Sequence, residues 1–80
     1  MPSIILYQFD DCSFCARVRM KLQELGLEFE PVDVSRDWND SFRKILEIES
    51  GFQSIPLLKI DDTFIAESST IINYLEKEFG

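Results

Sequence analysis

An unbroken apolar run, Ile4-Ile5-Leu6-Tyr7, stands near the start of a chain of only 80 residues. Strand-forming residues without polar alternation mark a strand covered on both faces. A chain this short buries roughly 60% of the surface its unfolded form exposes. The layers covering that strand must therefore be built from nearly everything that follows, and the pattern downstream supplies them. Phe14, Val18, Leu22 and Leu25 recur at helical spacing as one apolar stripe, and Gly26 is a suitable helix stop. Phe29 to Val34 reads as a second strand. Pro31 lacks an N–H for a ladder, so this strand belongs at a sheet edge. A second helix is expected to begin between Asp37 and Asp40 and to end at Gly51, with Trp38, Phe42, Ile45 and Leu46 as its buried face. Leu57–Ile60 and Thr63–Ala66 flank Asp61-Asp62 and read as a hairpin. A last helix, N-capped by Ser68 or Ser69, turns Ile71, Ile72, Leu75 and Phe79 inward.

The order is βαβαββα. A βαβ unit requires parallel strands joined by a right-handed crossover, and the closing hairpin must be antiparallel. One mixed four-stranded sheet flanked by helices, an α/β fold, meets both demands. The Pro31 strand is expected at one edge and the last hairpin strand at the other. No repeat or linker divides the chain, so residues 1–80 are expected to form a single domain.

The formal net charge is -7, which argues against nucleic acid as a partner, because phosphate binding needs clustered Lys and Arg. No stretch of about 18 apolar residues is present to span a membrane. The opening residues lack the basic segment of a signal peptide, so a cytoplasmic location is expected. There is no histidine and there are two cysteines. Ser-His-Asp and Cys-His catalysis are therefore excluded, and two thiolates alone cannot complete a zinc site. No metal is expected.

Those two cysteines are Cys12 and Cys15, placed where the first strand gives way to the first helix. Unpaired N–H groups and the helix dipole favour a thiolate at that position, and a thiolate is what attacks a disulfide. Cys12 reads as the nucleophile. Cys15, one turn deeper, reads as the thiol that resolves a mixed disulfide. Burial as inert thiols is the plain alternative, since cysteine is often buried for packing alone. Asp10 and Asp11 directly precede Cys12 and would disfavour its thiolate if they lie close, with Arg17 and Arg19 as partial offsets.

Leu6-Tyr7 through Cys12-Ser13-Phe14-Cys15-Ala16-Arg17-Val18 resembles the strand, C-P-Y/F-C site and following helix of the glutaredoxins. Gly51-Phe52-Gln53-Ser54-Ile55-Pro56 resembles that family's G-x-x-T-V-P. Ala66-Glu67-Ser68-Ser69-Thr70-Ile71-Ile72 is similar to the start of the last helix in the N-terminal domain of glutathione transferases. The resemblance spans almost the whole chain and implies a thioredoxin-like fold with a cis peptide bond before Pro56. It also implies glutathione as co-substrate, held by Ser54, the backbone of Ile55, Pro56, Glu67 and Ser68. The physics agrees at the last helix, where Glu67 can accept from an ammonium and the helix N-terminus can hold a carboxylate. Gln53, Arg43 and Lys44 are the candidates for the glycine carboxylate of glutathione. The chain departs from the glutaredoxins at Ser13, where that family has proline, and lacks the lysine often found before the first cysteine.

The function implied is a monomeric, glutathione-dependent thiol–disulfide oxidoreductase acting on glutathionylated or disulfide-containing proteins. Two alternatives remain. One is a carrier of an iron–sulfur cluster ligated by the first cysteine and glutathione, a class with which Ser13 is compatible. The other is a non-catalytic glutathione-binding module related to the transferases.

Overall fold

A computed structural model describes residues 2–80. The elements follow the expected order: β1 (Ile4–Gln8), α1 (Ser13–Glu24), β2 (Glu30–Asp33), α2 (Ser41–Ser50), β3 (Leu57–Ile60), β4 (Thr63–Ala66) and α3 (Ser68–Phe79). They form one four-stranded sheet in the order β2-β1-β3-β4. The β1–β2 pair is parallel, and β1–β3 and β3–β4 are antiparallel. Pro31 thus lies in an edge strand, where its missing donor costs no ladder bond.

The two faces of the sheet are covered unequally. On one face Ile4, Leu6, Leu58 and Ile60 meet Val18 and Leu22 of α1 and Ile71 and Leu75 of α3, all buried. On the other face the buried apolar cluster is smaller, Val34, Leu46 and Leu57, with Tyr7, Phe9, Ile55, Phe64 and Ala66 partly covered around it. Consequently β1 is closed on the α1/α3 side and only half-closed on the α2 side.

Helix ends follow local chemistry. Gly26 has φ 69°, and α1 closes with Gly26 N–H donating to Gln23 O (3.0 Å) and Leu27 N–H to Leu22 O (3.0 Å). This pair of bonds is the Schellman arrangement, which requires a left-handed residue at the first position beyond the cap. Asp40 N-caps α2 by accepting from Arg43 N–H at 3.2 Å, and Gly51 ends that helix in the left-handed region.

Three expectations are corrected. First, the inward face of α2 is not Trp38, Phe42, Ile45 and Leu46: only Leu46 of these is buried, and the other three are exposed. The helix is turned by about one position, so that Arg43 and Leu46 face the sheet. The cause is a buried guanidinium. Arg43 donates to Ser35 O (3.1 Å) and Gln53 O (3.0 Å), tying the segment before α2 to the segment after it. Its charged plane also stacks 4.1 Å from the Trp38 ring, which holds that indole outside the core. Second, Phe14 is exposed while Cys15 is fully buried. Both residues border the stripe through Val18 and Leu22, and the small thiol occupies the covered position. Third, neither Ser68 nor Ser69 caps α3. The cap position is Glu67, and Ser68 is already helical.

Candidate active site

The loop from β1 to α1 and the loop from β2 to α2 both leave the carboxyl ends of neighbouring parallel strands. Such ends form the usual crevice of an open α/β sheet. Gln8 and Asp33 are register partners at those ends. Gln8 Nε2 donates to Asp33 Oδ1 (3.0 Å), and Arg19 Nη1 donates to Gln8 Oε1 (2.8 Å). A buried glutamine thereby links the last residues of both strands to α1, one turn beyond Cys15.

Cys12 sits at the N-cap of α1, half-buried, with extended backbone. Its carbonyl accepts from Ala16 N–H at 3.0 Å, opening the helix. The side chain makes no capping hydrogen bond of ordinary geometry. Partial burial alone would push the Cys12 thiol up. The neighbouring Cys15 N–H, Cys15 thiol and Phe14 N–H, together with the charge of Arg36, outweigh it and hold the thiol below its ordinary range. Cys15 behaves oppositely. Burial first, and then the Cys12 sulfur, push its thiol up to about 11. Both cysteines are free thiols. The pair therefore divides into a reachable sulfur inclined to ionise and a covered sulfur that keeps its proton.

This asymmetry has a measurable sign. A raised pKa means that the folded protein holds the Cys15 proton more tightly than the unfolded chain does. The associated stability is present below about 9 and is lost as pH rises toward about 11. With the reduced protein, iodoacetamide should label Cys12 at neutral pH while Cys15 stays unlabelled, and the urea midpoint should fall between pH 9 and 11. Peptide mass spectrometry separates the two labels. Equal labelling rates at pH 8 would contradict the arrangement.

The Ile55–Pro56 bond is cis, and Pro56 is buried with Ile55 partly exposed and Ser54 exposed. Glu67 is exposed at the N-terminus of α3 with φ 70° and ψ 132°. Left-handed backbone at a non-glycine residue costs on the order of 1–3 kcal/mol and gathers at functional sites. Among the candidates for a carboxylate partner, Arg43 is already bonded to two backbone carbonyls. Gln53 is exposed and donates to Glu47 Oε1 at 2.5 Å, and Lys44 is exposed. No cluster of three or more His, Cys, Asp or Glu side chains suited to a metal occurs among the described residues. No helix among them is long and apolar enough to cross a membrane.

Residues 6–80 match the family model described as "Glutathione S-transferase, N-terminal domain". The chain belongs to this family. The glutathione S-transferase N-terminal fold agrees with solved structures. A glutathione transferase homologue from Drosophila mojavensis, solved with bound glutathione, superposes with a TM-score of 0.85 at 25% identity, covering 100% of this chain and 36% of that one. Among curated relatives, rat maleylacetoacetate isomerase is 28% identical over 76 residues, 95% of this chain and 35% of its own length. The N-acetyl-S-hydroxy-L-cysteine reductase of Bacillus subtilis is 31% identical over 58 residues, 72% of this chain and 60% of its own. Glutaredoxin 1 of Rickettsia felis is 25% identical over 78 residues, 98% of this chain and 76% of its own. This transferase-type domain thus spans about a third of the isomerase it matches. The glutaredoxin resemblance holds at the level of the shared thioredoxin-like fold and a relative of low identity.

One charged residue at this site, Arg36, escaped the sequence reading, which weighed Arg17 and Arg19 instead. Arg19 is bonded to Gln8, and its charge acts on Cys15. The cation beside Cys12 is Arg36, which is ion-paired with Asp11. Local spacing carries no signal for this pair, since its members are 25 residues apart. The β1–β2 register does. Asp11 lies three residues beyond Gln8, and Arg36 lies three beyond its partner Asp33.

Proposed function

We propose that this transferase-type domain is a glutathione-dependent thiol–disulfide oxidoreductase acting through Cys12. The observation that carries the reading is the division of labour between the sulfurs: Cys12 reachable with a depressed pKa, Cys15 covered with a raised one. The Cys12 thiolate attacks the glutathione sulfur of a protein–glutathione disulfide. A Cys12–glutathione disulfide forms, and the protein thiolate leaves. A second glutathione thiolate then attacks the glutathione sulfur held on Cys12, producing glutathione disulfide and restoring the Cys12 thiolate. Cys15 supplies the alternative exit once it has lost its proton. When the substrate is a protein disulfide, Cys15 attacks the Cys12 sulfur of the Cys12–protein mixed disulfide, and the protein thiolate leaves. Two glutathiones then reduce the Cys12–Cys15 ring to the dithiol, giving glutathione disulfide.

Glutathione would lie along the segment before Pro56, with Ser54 and Pro56 shaping the strand-like approach and the Ile55 backbone pairing with the cysteinyl unit. Glu67 would accept from the γ-glutamyl ammonium, while Ser68 and the α3 N-terminus would hold its carboxylate. Gln53 and Lys44 remain for the glycine carboxylate. The domain would work as a monomer with no metal. Relatives named as a glutaredoxin and as a reductase of a sulfur-oxidised cysteine derivative support thiol chemistry at this fold. The family match to a transferase domain favours a second reading, in which the same groove binds glutathione for a non-redox purpose.

Titration of the reduced protein with glutathione, followed by amide NMR, tests the shared premise. Shifts should gather at Cys12, Ile55, Glu67 and Ser68. An unchanged spectrum at those four positions at millimolar glutathione overturns both readings.

A further inference from the structure

Cys12 is preceded by two aspartates, and an isolated carboxylate beside a sulfur opposes its ionisation. The folded arrangement changes what Asp11 does. Its Oδ1 accepts from Arg36 Nη2, and the Arg36 guanidinium lies 4.4 Å from the centroid of the Phe9 ring. Phe9 and Asp11 belong to the loop that leads into Cys12, and Phe9 O accepts from Cys12 N–H at 3.3 Å. Arg36 is thus held at two points, a ring face and a carboxylate, on the segment that carries the sulfur. Arg43 lies on the same ring system, 5.5 Å from the Phe9 centroid, and is itself fixed by Ser35 O and Gln53 O. The charged group that acts on Cys12 is Arg36 of the β2–α2 loop, and Arg36 in turn feels Asp11, Cys12 and Asp10.

We propose that Arg36 is a positioning residue for the Cys12 thiolate and that Asp11 is the tether that keeps it there. An arginine on an exposed loop loses considerable side-chain freedom to stay beside one atom. The stack on Phe9 and the bond to Asp11 offset that loss, so the cation acts on the sulfur only while the tether is intact. The local negative charge of Asp11 is opposed by the positive charge it retains. The inference rests on Cys12 being the reactive sulfur, and its test needs no glutathione.

The tether makes a prediction that simple charge counting reverses. Removing a carboxylate next to a thiol should raise thiolate content if only that charge matters. With a tether, Asp11→Asn also releases Arg36, and the two effects oppose. The experiment is the pH dependence of Cys12 alkylation by iodoacetamide, read by mass spectrometry in the reduced full chain. The five proteins are the wild type, Arg36→Met, Arg36→Lys, Asp11→Asn and the Arg36→Met/Asp11→Asn double variant. Both side chains are largely exposed, at 60% and 72%, so these substitutions spare the core and the effects are moderate.

Arg36→Met should slow alkylation at pH 6 by about threefold, matching a midpoint raised by about half a unit. The same substitution in the Asp11→Asn protein should slow it by less than about 1.5-fold, a coupling that a double-mutant cycle isolates. Arg36→Lys should restore part of the wild-type rate, since lysine keeps the charge but loses the planar stack and fork. Salt at about 0.5 M should shrink the wild-type advantage. Equal effects of Arg36→Met in both backgrounds would overturn the tether, and an unchanged pH midpoint in Arg36→Met would overturn the positioning role.

Discussion

Replacing Cys12 with serine is expected to reduce glutathione-dependent reduction of a glutathionylated peptide to background, a loss of about a hundredfold or more. The substitution is nearly isosteric and sits at a helix N-cap, where serine is a favoured residue, so the fold should persist. What disappears is a sulfur whose thiolate is stabilised by the start of α1 and by Arg36. A serine hydroxyl does not ionise near neutral pH and cannot form the mixed disulfide through which the reaction runs. Cys15→Ser is the informative companion. Cys15 is fully buried and its thiol is pushed up to about 11, so it contributes little nucleophile at neutral pH. That variant should keep part of the activity on glutathionylated peptide, where a second glutathione completes the cycle. It should lose reduction of a protein disulfide, for which an internal second thiol is required. Both activities can be followed by coupled consumption of glutathione disulfide. Full turnover by the Cys12→Ser protein would end the redox assignment, whereas intact glutathione binding with no turnover in the wild type would favour the binding-module reading.

The largest stability effect is expected in the core between α1, α3 and the sheet. Leu22 is fully buried in the cluster with Val18, Leu58, Ile71 and Leu75. Leu22→Ala removes three carbons and leaves a cavity, at a cost of about 3 kcal/mol. A domain of this size has a total stability on the order of 4–12 kcal/mol, so the loss is a large fraction of the whole. The thermal midpoint should fall by roughly 12–24 °C. The urea midpoint should fall with an unchanged slope. Ile48→Ala is the matched control. Its side chain is 83% exposed on α2, and the change should stay within about 0.5 kcal/mol. A Leu22→Ala cost below about 1 kcal/mol would mean that the α1 face is not the packed side of the sheet.

The contrast between these two leucine and isoleucine positions marks where local pattern stops being informative. For α1 and α3 the apolar spacing identifies the buried stripe, and Val18, Leu22, Ile71 and Leu75 are all covered. For α2 the same reasoning selects Trp38, Phe42 and Ile45, which are exposed. Periodicity alone counts apolar side chains and cannot weigh a buried arginine with two carbonyl partners contributed by separate segments. The candidate site divides in the same way. Cys12, Cys15 and the Ile55–Pro56 bond stand out by residue type and spacing. The left-handed backbone of Glu67 and the charge beside Cys12 do not.

By itself the sequence determined what depends on neighbours along the chain. The order of elements, the edge position of the Pro31 strand, the ends of α1 and α2 at Gly26 and Gly51, and the start of a helix at the cysteine pair are all short-range matters. Each follows from backbone sterics or from a period of two or 3.6 residues. Tertiary structure decided which way α2 is turned, how completely Cys15 is covered and which cation stands beside Cys12. Those outcomes depend on groups brought together by the parallel register of β1 and β2 and by the crossing of loops. The energies of burial and charge act on distance in space, and distance in space is set only once the sheet has formed.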